Sequence, residues 1–516
     1  MTNLPIIAAI DVGSHDIVLK IASLKANGTP KILEEVQRTI PIGADTYATG
    51  RISQYHLNVL IEVLKSFQRK FDEYKVDHVR AVATSAFREA ENQLYALEQI
   101  EHATSLKVEV LASSKDVYYH QLALSEMLAE YKEMIATNAL FLNIGAGSIQ
   151  LTLFNEGRYI NTQSFRLGSL RIREMLGDLE RHSSDFNALM AEYITGELNY
   201  YRTFSPNMTL YKNLVILGGS SRYLRAIGGW DRRKQHFIDR NRFLKVFEEL
   251  KAGYNQSEFT RFTQLATEQE MLLVPTCIVI DEVLQFTGVE RFILSDMDLT
   301  DGIIYEMAGD ILNYKFQRDP DLNLYESAAN LSSRYRTDKK HSRHVEALSA
   351  RLFDLMAKIH GVPKQYRKYL RIAALLHNIG KYISMENDGI RSYEIVRSNA
   401  LIGLGAREVE LIAVICCFHN GHITPDEPLL QSFTVEDRLI VLKLIALLTL
   451  ANSLDAGHKQ KIEILRIKIV ENNVEIQIRA NQDHTLETWN FNKHTRLFKE
   501  IFGLQPVLKT KLPKVI

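Results

Sequence analysis

Residues 140–154 read LFLNIGAGSIQLTLF: an apolar run, a turn built on Gly145 and Gly147, and a second apolar run. The pattern predicts two β-strands joined by a tight glycine turn. Glycine tolerates positive φ and has no Cβ, so the backbone N–H groups of such a turn can converge on a phosphate. A plain β-hairpin is the simpler interpretation of any single turn. Asn143 ends the first strand, where metal-assisted phosphate chemistry would favour Asp.

The same arrangement occurs near the N-terminus, in the stretch AAIDVGSHDIVLKI at 8–21. Asp11 there holds the place of Asn143, and Gly13 holds the place of Gly145. This internal duplication predicts two related lobes that face a cleft.

A third glycine turn lies in LVILGGSSRYLRAI at 214–227, after a predicted strand and before a predicted helix. Because three such turns occur and two are duplicates, a phosphate-binding function is favoured over plain hairpins.

The length of 516 residues favours about two to four domains. Strand and helix patterns alternate up to about residue 310, and helical periodicity then dominates up to about 463. The sequence at 461–480 predicts a β-hairpin, and 492–502 predicts a last helix that ends the chain. One long helix is predicted at 116–134, and the polar stretch 332–344 is the candidate linker. The predicted domains are an N-terminal lobe at 1–133, a second lobe at 134–312, a helical domain at 325–463 and a C-terminal tail at 464–516.

The composition is that of a globular protein, with 46% hydrophobic and 24% charged residues and a net charge of zero. Zero net charge argues against a dedicated nucleic-acid-binding protein. No stretch approaches the roughly 20 apolar residues that span a bilayer, so we expect a soluble cytoplasmic protein. The three cysteines lack metal-ligand spacing and are expected to be reduced thiols. DRRKQ at 231–235 is expected to be an exposed loop.

Five motifs in order resemble those of the exopolyphosphatase/guanosine-pentaphosphate phosphohydrolase (Ppx/GppA) family. Besides the three glycine turns they are VRAVATSAFREAEN at 79–92 and SFRLGSLRIRE at 164–174. The resemblance spans about 5–310, and the helical remainder is similar to the HD-like domain of that family. It implies an α/β two-lobed actin-like ATPase (ribonuclease H-like) fold, followed by an all-α HD-like domain with a small α+β tail.

The resemblance also implies an activity and a ligand set. The substrate would be inorganic polyphosphate or guanosine pentaphosphate (pppGpp), the cofactor Mg²⁺ or Mn²⁺, and the assembly a homodimer. One carboxylate would activate the attacking water, and Asp116 lies nearest the position of the catalytic acid. The metal positions correspond to Asp11, Asn143 and Gln150. The phosphate-binding positions correspond to Gly13, Ser14, Ser85, Arg88, Gly145, Gly147, Ser148, Gly218, Gly219 and Ser220.

The acidic positions depart from the family pattern. The family's DIGGGSTE is NIGAGSIQ here, so Asn143 and Gln150 are amides instead of acids. An amide can ligate Mg²⁺ through its carbonyl but brings no charge. The family's GEEEAR stretch is SSKDVY, which leaves Asp116, one methylene shorter than Glu, as the candidate base. A helix N-terminal acid favoured by the helix dipole is the alternative interpretation of Asp116.

LLHNIGKY at 375–382 resembles an HD motif in which Asn378 replaces Asp. His341, His377 and His419 lie where metal ligands are expected, but Asn452 replaces the distant acid. A catalytic metal site is therefore not expected, and His377 is interpreted as a hydrogen-bonded core histidine. A basic run at 334–343 is either a solvated linker or part of a polymer channel.

Three functional hypotheses remain open from the sequence. The first is a phosphoanhydride hydrolase, favoured by Asp11, Asp116 and the glycine turns. The second is a catalytically impaired regulatory protein that binds oligophosphate, favoured by the acid-to-amide replacements. A kinase or ATPase of the same superfamily is the third, and the motif order argues against it.

Overall fold

A computed structural model describes residues 4–203, 211–230, 237–253 and 267–510 of the chain. The predicted loop at 231–235 lies outside these residues. The chain forms two compact units, Met1–Asn323 and Leu324–Ile516. This division is coarser than the four predicted domains, whose boundaries stay predictions.

The first sheet has the strand order β3-β2-β1-β4-β5. β1 pairs antiparallel with β2 and parallel with β4, and Ile7–Ile10 are buried because both faces of this central strand are covered. One face packs against the helices Gln54–Tyr74 and Gln93–Thr104, and the other packs against the helices Ser113–Met127 and Leu299–Leu312. The strands are β1 (Ile6–Val12), β2 (Asp16–Leu24), β3 (Pro30–Thr39), β4 (His78–Ala83) and β5 (Val108–Val110). The helices up to residue 136 are α1 (Ile42–Thr49), α2 (Gln54–Tyr74), α3 (Ser85–Glu89), α4 (Gln93–Thr104), α5 (Ser113–Met127) and α6 (Tyr131–Ala136).

The second sheet repeats the pairing of the first. β6 pairs antiparallel with β7 and parallel with β9, as β1 does with β2 and β4. Its order is β10-β11-β9-β6-β7-β8. The strands are β6 (Ala139–Ile144), β7 (Ile149–Asn155), β8 (Arg158–Phe165), β9 (Asn213–Leu217), β10 (Phe237–Asp239) and β11 (Arg291–Leu294). The helices are α7 (Ser169–Glu180), α8 (Phe186–Arg202), α9 (Ser220–Gly228), α10 (Arg240–Gly253), α11 (Thr267–Thr287) and α12 (Leu299–Leu312).

The unit Leu324–Ile516 is helical and carries a small sheet of order β12-β13-β14. Its helices are the C-terminal part of α13 (Pro320–Arg334), then α14 (Lys339–Leu355), α15 (Ala357–His360), α16 (Arg367–Leu376), α17 (Asp388–Ser398), α18 (Ala406–Cys417), α19 (Val435–Ser453), α20 (Thr485–Lys493) and α21 (Arg496–Phe502). The strands are β12 (Ile462–Val470), β13 (Asn473–Ala480) and β14 (Gln505–Thr510). Short 3-10 helices cover Lys364–Tyr366, Ile379–Tyr382 and Pro428–Leu430.

Three predictions about individual elements are wrong. The helix expected at 116–134 is interrupted after Met127, because Leu128 is extended and its N–H closes the last turn of α5. The expected linker at 332–344 is instead occupied largely by the end of α13 and the start of α14. The helix expected as the last element is followed by β14, which pairs parallel with β13.

The cysteines are free, with Cys277 and Cys416 buried and Cys417 partly buried. No helix in the described ranges combines the length and the apolar character that crossing a membrane requires.

Candidate functional site

One pocket in the unit Met1–Asn323 collects the three glycine turns. The β1–β2 turn and the β6–β7 turn close with the same hydrogen bond, from Gly13 N to Asp16 O (3.0 Å) and from Gly145 N to Ser148 O (2.9 Å). The third turn joins β9 to α9. Of the residues assigned from the sequence, those lining the pocket are Asp11, Gly13, Ser14, Ser85, Asp116, Asn143, Gly145, Gly147, Ser148, Gly218, Gly219 and Ser220.

Glycine is required at two positions for different reasons. A Cβ on Gly147 would overlap the hydroxyl oxygens of Tyr47 and Ser85. Gly218 has φ of +123° and lies against the carbonyl of Ile144, so a side chain there would be strained and crowded. The close approach of the backbone to its neighbours therefore depends on the absence of side chains.

Hydroxyl groups gather beside the first two turns. Ser14 Oγ lies 2.8 Å from Ser85 Oγ and 2.7 Å from Tyr47 Oη, and Tyr47 Oη lies 3.1 Å from Ser85 Oγ. Ala86 N donates to Ser14 Oγ at 3.2 Å. Tyr47, which no sequence motif singled out, does not itself line the pocket but bonds both serines that do.

Two arginines hold the backbone around the pocket. The buried Arg171 donates from Nε to Gly147 O (2.7 Å) and from Nη2 to Glu89 Oε1 (2.6 Å). Its guanidinium also lies 4.0 Å from the ring centroid of Tyr47. Arg88 donates from Nη1 to Leu111 O at 2.6 Å and is not among the residues lining the pocket. The arginine that reaches a glycine turn is therefore Arg171.

Most of the charged side chains that line the pocket are acids. Its acids are Asp11, Asp16, Glu35, Asp116, Asp296 and Asp298, and its basic side chains are His15, His120 and Arg222. Arg222 is paired with Glu35 at 2.5 Å. A bare polyphosphate anion would be repelled here, so an anionic substrate needs accompanying cations.

The surroundings of Asp11 disfavour an isolated negative charge on its side chain. Its Oδ1 is buried and has no hydrogen-bond partner in the described ranges. Burial, followed by the charges of Asp116 and Asp298, raises the pKa of Asp11 to about 8. An orphaned carboxylate oxygen next to two further acids fits a hard divalent cation.

The two amides that replace acids bond to each other across the β6–β7 hairpin. Asn143 Nδ2 donates to Gln150 Oε1 at 3.2 Å, and Gln150 Nε2 donates to Ser113 Oγ at 3.4 Å. Asn143 lines the pocket, whereas Gln150 is buried and does not. Across residues 4–203, 211–230, 237–253 and 267–510, no three His, Cys, Asp or Glu side chains are arranged to hold a metal ion. Of the three metal positions assigned from the sequence, Asp11 and Asn143 line the pocket, so a cation there would be held by Asp11, the side-chain carbonyl of Asn143 and oxygens of the substrate.

A buried lysine fixes the acid contributed by the N-cap of α12. Lys20 Nζ lies 2.8 Å from Asp298 Oδ2 and 2.7 Å from Asp301 Oδ1. Burial alone would raise the pKa of Asp298, but the charge and hydrogen bond of Lys20 outweigh it and lower that pKa. Sequence reasoning missed this network, although a lysine inside an apolar strand pattern was a usable signal.

The histidines predicted near the HD-like motif do meet in the helical unit. The ring of His377 lies 5.3 Å from that of His341 and 5.2 Å from that of His419, and all three are buried. His377 Nδ1 bonds Ala374 O (2.8 Å), and its Nε2 lies 3.2 Å from Asn452 Oδ1. His377 is therefore a hydrogen-bonded core histidine, as predicted. His341 Nδ1 bonds the fully buried Asp455, an acid that the sequence analysis did not single out.

The basic side chains at 334–343 are exposed at the end of α13 and the start of α14: Arg334, Arg336, Lys339, Lys340 and Arg343. Their part in a polymer channel stays a prediction.

Comparison with known proteins gives the family. The sequence profile of the Ppx/GppA phosphatase family matches residues 20–310, and that of Ppx/GppA phosphatase domain III matches residues 325–498. A guanosine-5'-triphosphate,3'-diphosphate pyrophosphatase of Aeromonas hydrophila is 22% identical over 425 residues, which cover 80% of this chain and 81% of that protein.

One solved structure supports the fold. An exopolyphosphatase-like protein is 19% identical with a TM-score of 0.50, covering 60% of this chain and 100% of its own. An exopolyphosphatase from Cytophaga hutchinsonii is 20% identical with a TM-score of 0.49, covering 59% of this chain and 98% of its own.

The predicted two-lobed actin-like fold is confirmed, as are the helical region and the small sheet after it. The likeness of the helical region to HD domains stays a prediction. Since the two matches together span most of the sequence, the chain belongs to the Ppx/GppA phosphatase family.

Proposed function

We propose that this protein hydrolyses the terminal phosphoanhydride of inorganic polyphosphate or pppGpp in the pocket of the unit Met1–Asn323. The observation that carries the proposal is that Asp11, Asp116 and all three glycine turns line one pocket. The family and the pyrophosphatase relative support the same reaction class.

The terminal phosphate would be held by the backbone N–H groups of the three turns and by nearby hydroxyls. Ser14 and Ser85 already lie within hydrogen-bond distance of each other, so a phosphate oxygen can replace their mutual contact. Phosphoanhydride hydrolysis depends mainly on positioning and on neutralising charge. Rigid N–H groups and hydroxyls supply the positioning.

Asp11 Oδ1 and the side-chain carbonyl of Asn143 would hold Mg²⁺ or Mn²⁺ together with oxygens of the substrate. Such an ion would neutralise charge on the phosphates and allow an anion into an acidic pocket. With one carboxylate and one amide, we expect weaker metal binding than in a site with two further acids.

Asp116 would act as the general base. It lies in the first turn of α5, is nearly buried and lines the pocket. A carboxylate there can accept the proton of the attacking water.

A phosphate-release assay tests the proposal with polyphosphate and pppGpp as separate substrates, in Mg²⁺ or Mn²⁺. We expect turnover that EDTA abolishes and that Asp116→Asn lowers by about 10²-fold or more. Asp72→Asn, an exposed acid on α2, is the matched control and should behave as the wild type. Absence of turnover with either substrate would overturn the proposal, and the ratio of kcat/KM values identifies the preferred substrate.

The alternative function is that of an impaired, oligophosphate-binding regulatory protein. It is favoured by the neutral Asn143–Gln150 pair, which replaces two acids by amides bonded to each other. Asn143→Asp separates the two. If the amide limits the metal site, this variant should need about tenfold less Mg²⁺ for half-maximal turnover. Tight polyphosphate binding without turnover, in both wild type and variant, would favour the regulatory function.

We also propose a cytoplasmic homodimer that binds neither nucleic acid nor membranes. Zero net charge supports the first exclusion. Light scattering after size exclusion measures the mass, and a monomeric mass at micromolar concentration contradicts the dimer.

A further inference from the structure

His120 lies one helical turn after Asp116 on α5 and bonds it twice. His120 Nδ1 is 3.0 Å from Asp116 Oδ1 and 3.0 Å from the backbone oxygen of Asp116. Because both contacts are with acceptors, Nδ1 carries the proton and donates. The two side chains are 12% and 11% exposed, and both line the pocket.

The charged groups around His120 are mostly acids. Asp116 on its own helix and Asp11 on β1 face the ring. Burial disfavours a charged ring, but the hydrogen bond and charge of Asp116 outweigh it and raise the pKa of His120. α12 also packs against α5, and its acids Asp298 and Asp301 are already paired with Lys20. His120 is therefore the positively polarised partner of Asp116.

We propose that His120 is a positioning residue for the Asp116 base, an inference that rests on the proposed hydrolysis. By bonding Asp116 Oδ1 it fixes the rotation of the carboxylate and leaves Oδ2 to accept the proton of the water. The carboxylate of an aspartate is joined to the backbone by one methylene fewer than that of a glutamate. Fixing the direction of the carboxylate therefore matters more where an aspartate takes the place of the longer base.

The step is balanced with the groups at hand. The water oxygen forms a bond to the terminal phosphorus, and the bridging P–O bond breaks. The electron pair of the broken bond leaves on the shortened substrate. The proton of the water rests on Asp116 Oδ2 and is later released to solvent. His120 keeps its Nδ1 proton throughout and holds Asp116 Oδ1 in place.

Three replacements of His120 separate its hydrogen bond from its bulk. In His120→Asn the side-chain amide nitrogen takes the place of Nδ1, whereas in His120→Gln it takes the place of Nε2. His120→Phe keeps the ring without a donor. His102→Phe, at an exposed position on α4, is the matched control and should leave the rate unchanged.

We expect His120→Phe to lower kcat by about tenfold with KM nearly unchanged, and His120→Gln to do the same. His120→Asn should keep kcat within about threefold of the wild type. Thermal unfolding of each variant checks that the fold is intact.

The outcomes are distinct. If Asp116→Asn abolishes turnover while a folded His120→Phe keeps the wild-type kcat, the positioning role is overturned and the hydrolase function stands. Equal losses of kcat in the Asn, Gln and Phe variants also overturn it, because a bulk effect would then suffice. If the wild type releases no phosphate from either substrate, the proposed function falls, and this role falls with it.

Discussion

A methyl group added at Gly147 tests the phosphate-binding role proposed for the β6–β7 turn. A Cβ there would displace the hydroxyls of Tyr47 and Ser85, which otherwise bond at 3.1 Å. We expect Gly147→Ala to raise KM for the phosphate substrate at least tenfold and to lower the melting temperature.

Gly196→Ala on α8 is the control for that substitution, because nothing lies within 4 Å of a Cβ there. An alanine inside a helix should stabilise the fold by about 0.5–1 kcal/mol and leave KM unchanged. Wild-type kinetics in Gly147→Ala would contradict the phosphate-binding role proposed for the β6–β7 turn.

Site residues within a contiguous motif could be predicted, and those that come from distant segments could not. The turns around Gly13, Gly145 and Gly218 line the pocket because each motif fixes its own backbone. Arg88 was expected at the phosphate but bonds Leu111 O, since its direction depends on how α3 meets the segment after β5. Tyr47 bonds Ser14, and Lys20 pairs with Asp301, only because tertiary packing brings distant segments of the chain together.

The contact between β2 and α12 depends on one buried cation. Lys20 on β2 is 5% exposed in its side chain and pairs with both Asp298 and Asp301. Lys20→Met would leave these acids buried without a partner, and we expect it to destabilise the protein by about 3–5 kcal/mol in urea unfolding.

Lys25→Met changes an exposed lysine just beyond the same strand and should stay within about 0.5 kcal/mol of the wild type. Similar stability of the two variants would show that the acids take up protons at little cost, contrary to the role given to Lys20. At pH 5 the two acids bind protons more readily, so Lys20→Met should be destabilised less relative to the wild type than at neutral pH.

Strong periodicity decided which elements could be predicted. The hairpins β1–β2, β6–β7 and β12–β13 have apolar runs or period-two alternation on both sides of a turn. β14, QPVLKT, is short, carries a proline at its second position, pairs parallel with β13 and packs against α21. Its pattern alone is therefore too weak to distinguish a strand from a loop.

The helical unit contains a buried histidine, His360, whose protonation should destabilise the fold. His360 is 1% exposed, its Nε2 donates to Phe353 O (2.8 Å), and its Nδ1 accepts from Val362 N (2.9 Å). A second proton would sit on Nδ1, against the N–H of Val362. Burial, followed by the charge of Lys443, lowers the pKa of His360.

The sign of the pH effect follows from that direction. In the unfolded chain a histidine binds its proton below about pH 6.5, while the folded protein keeps His360 neutral to lower pH. Stability is therefore lost as the pH falls below about 6.5, by at most about 1.4 kcal/mol per pH unit for this residue. Urea unfolding between pH 7.5 and 5 should show a smaller slope in His360→Gln, whereas the exposed His422→Gln keeps the wild-type slope.

At the scale of the whole molecule, the unit Leu324–Ile516 contains its own core and its own sheet. Buried side chains of α14, α16, α18 and α19 pack together, and among the residues that the structure describes the three strands of its sheet pair only with one another. α13 begins at Pro320, four residues before the unit boundary, so a fragment should start there to keep the helix whole.

We expect the fragment 320–516 to fold alone, because its core and sheet require no strand from the rest of the chain. It should unfold cooperatively in urea, with helical circular dichroism and dispersed amide signals. It should also keep the loss of stability below pH 6.5, since His360, Phe353, Val362 and Lys443 all lie within it. A fragment that binds hydrophobic dyes and unfolds without a transition would contradict independent folding, and one that folds without the acid effect would contradict the role of His360.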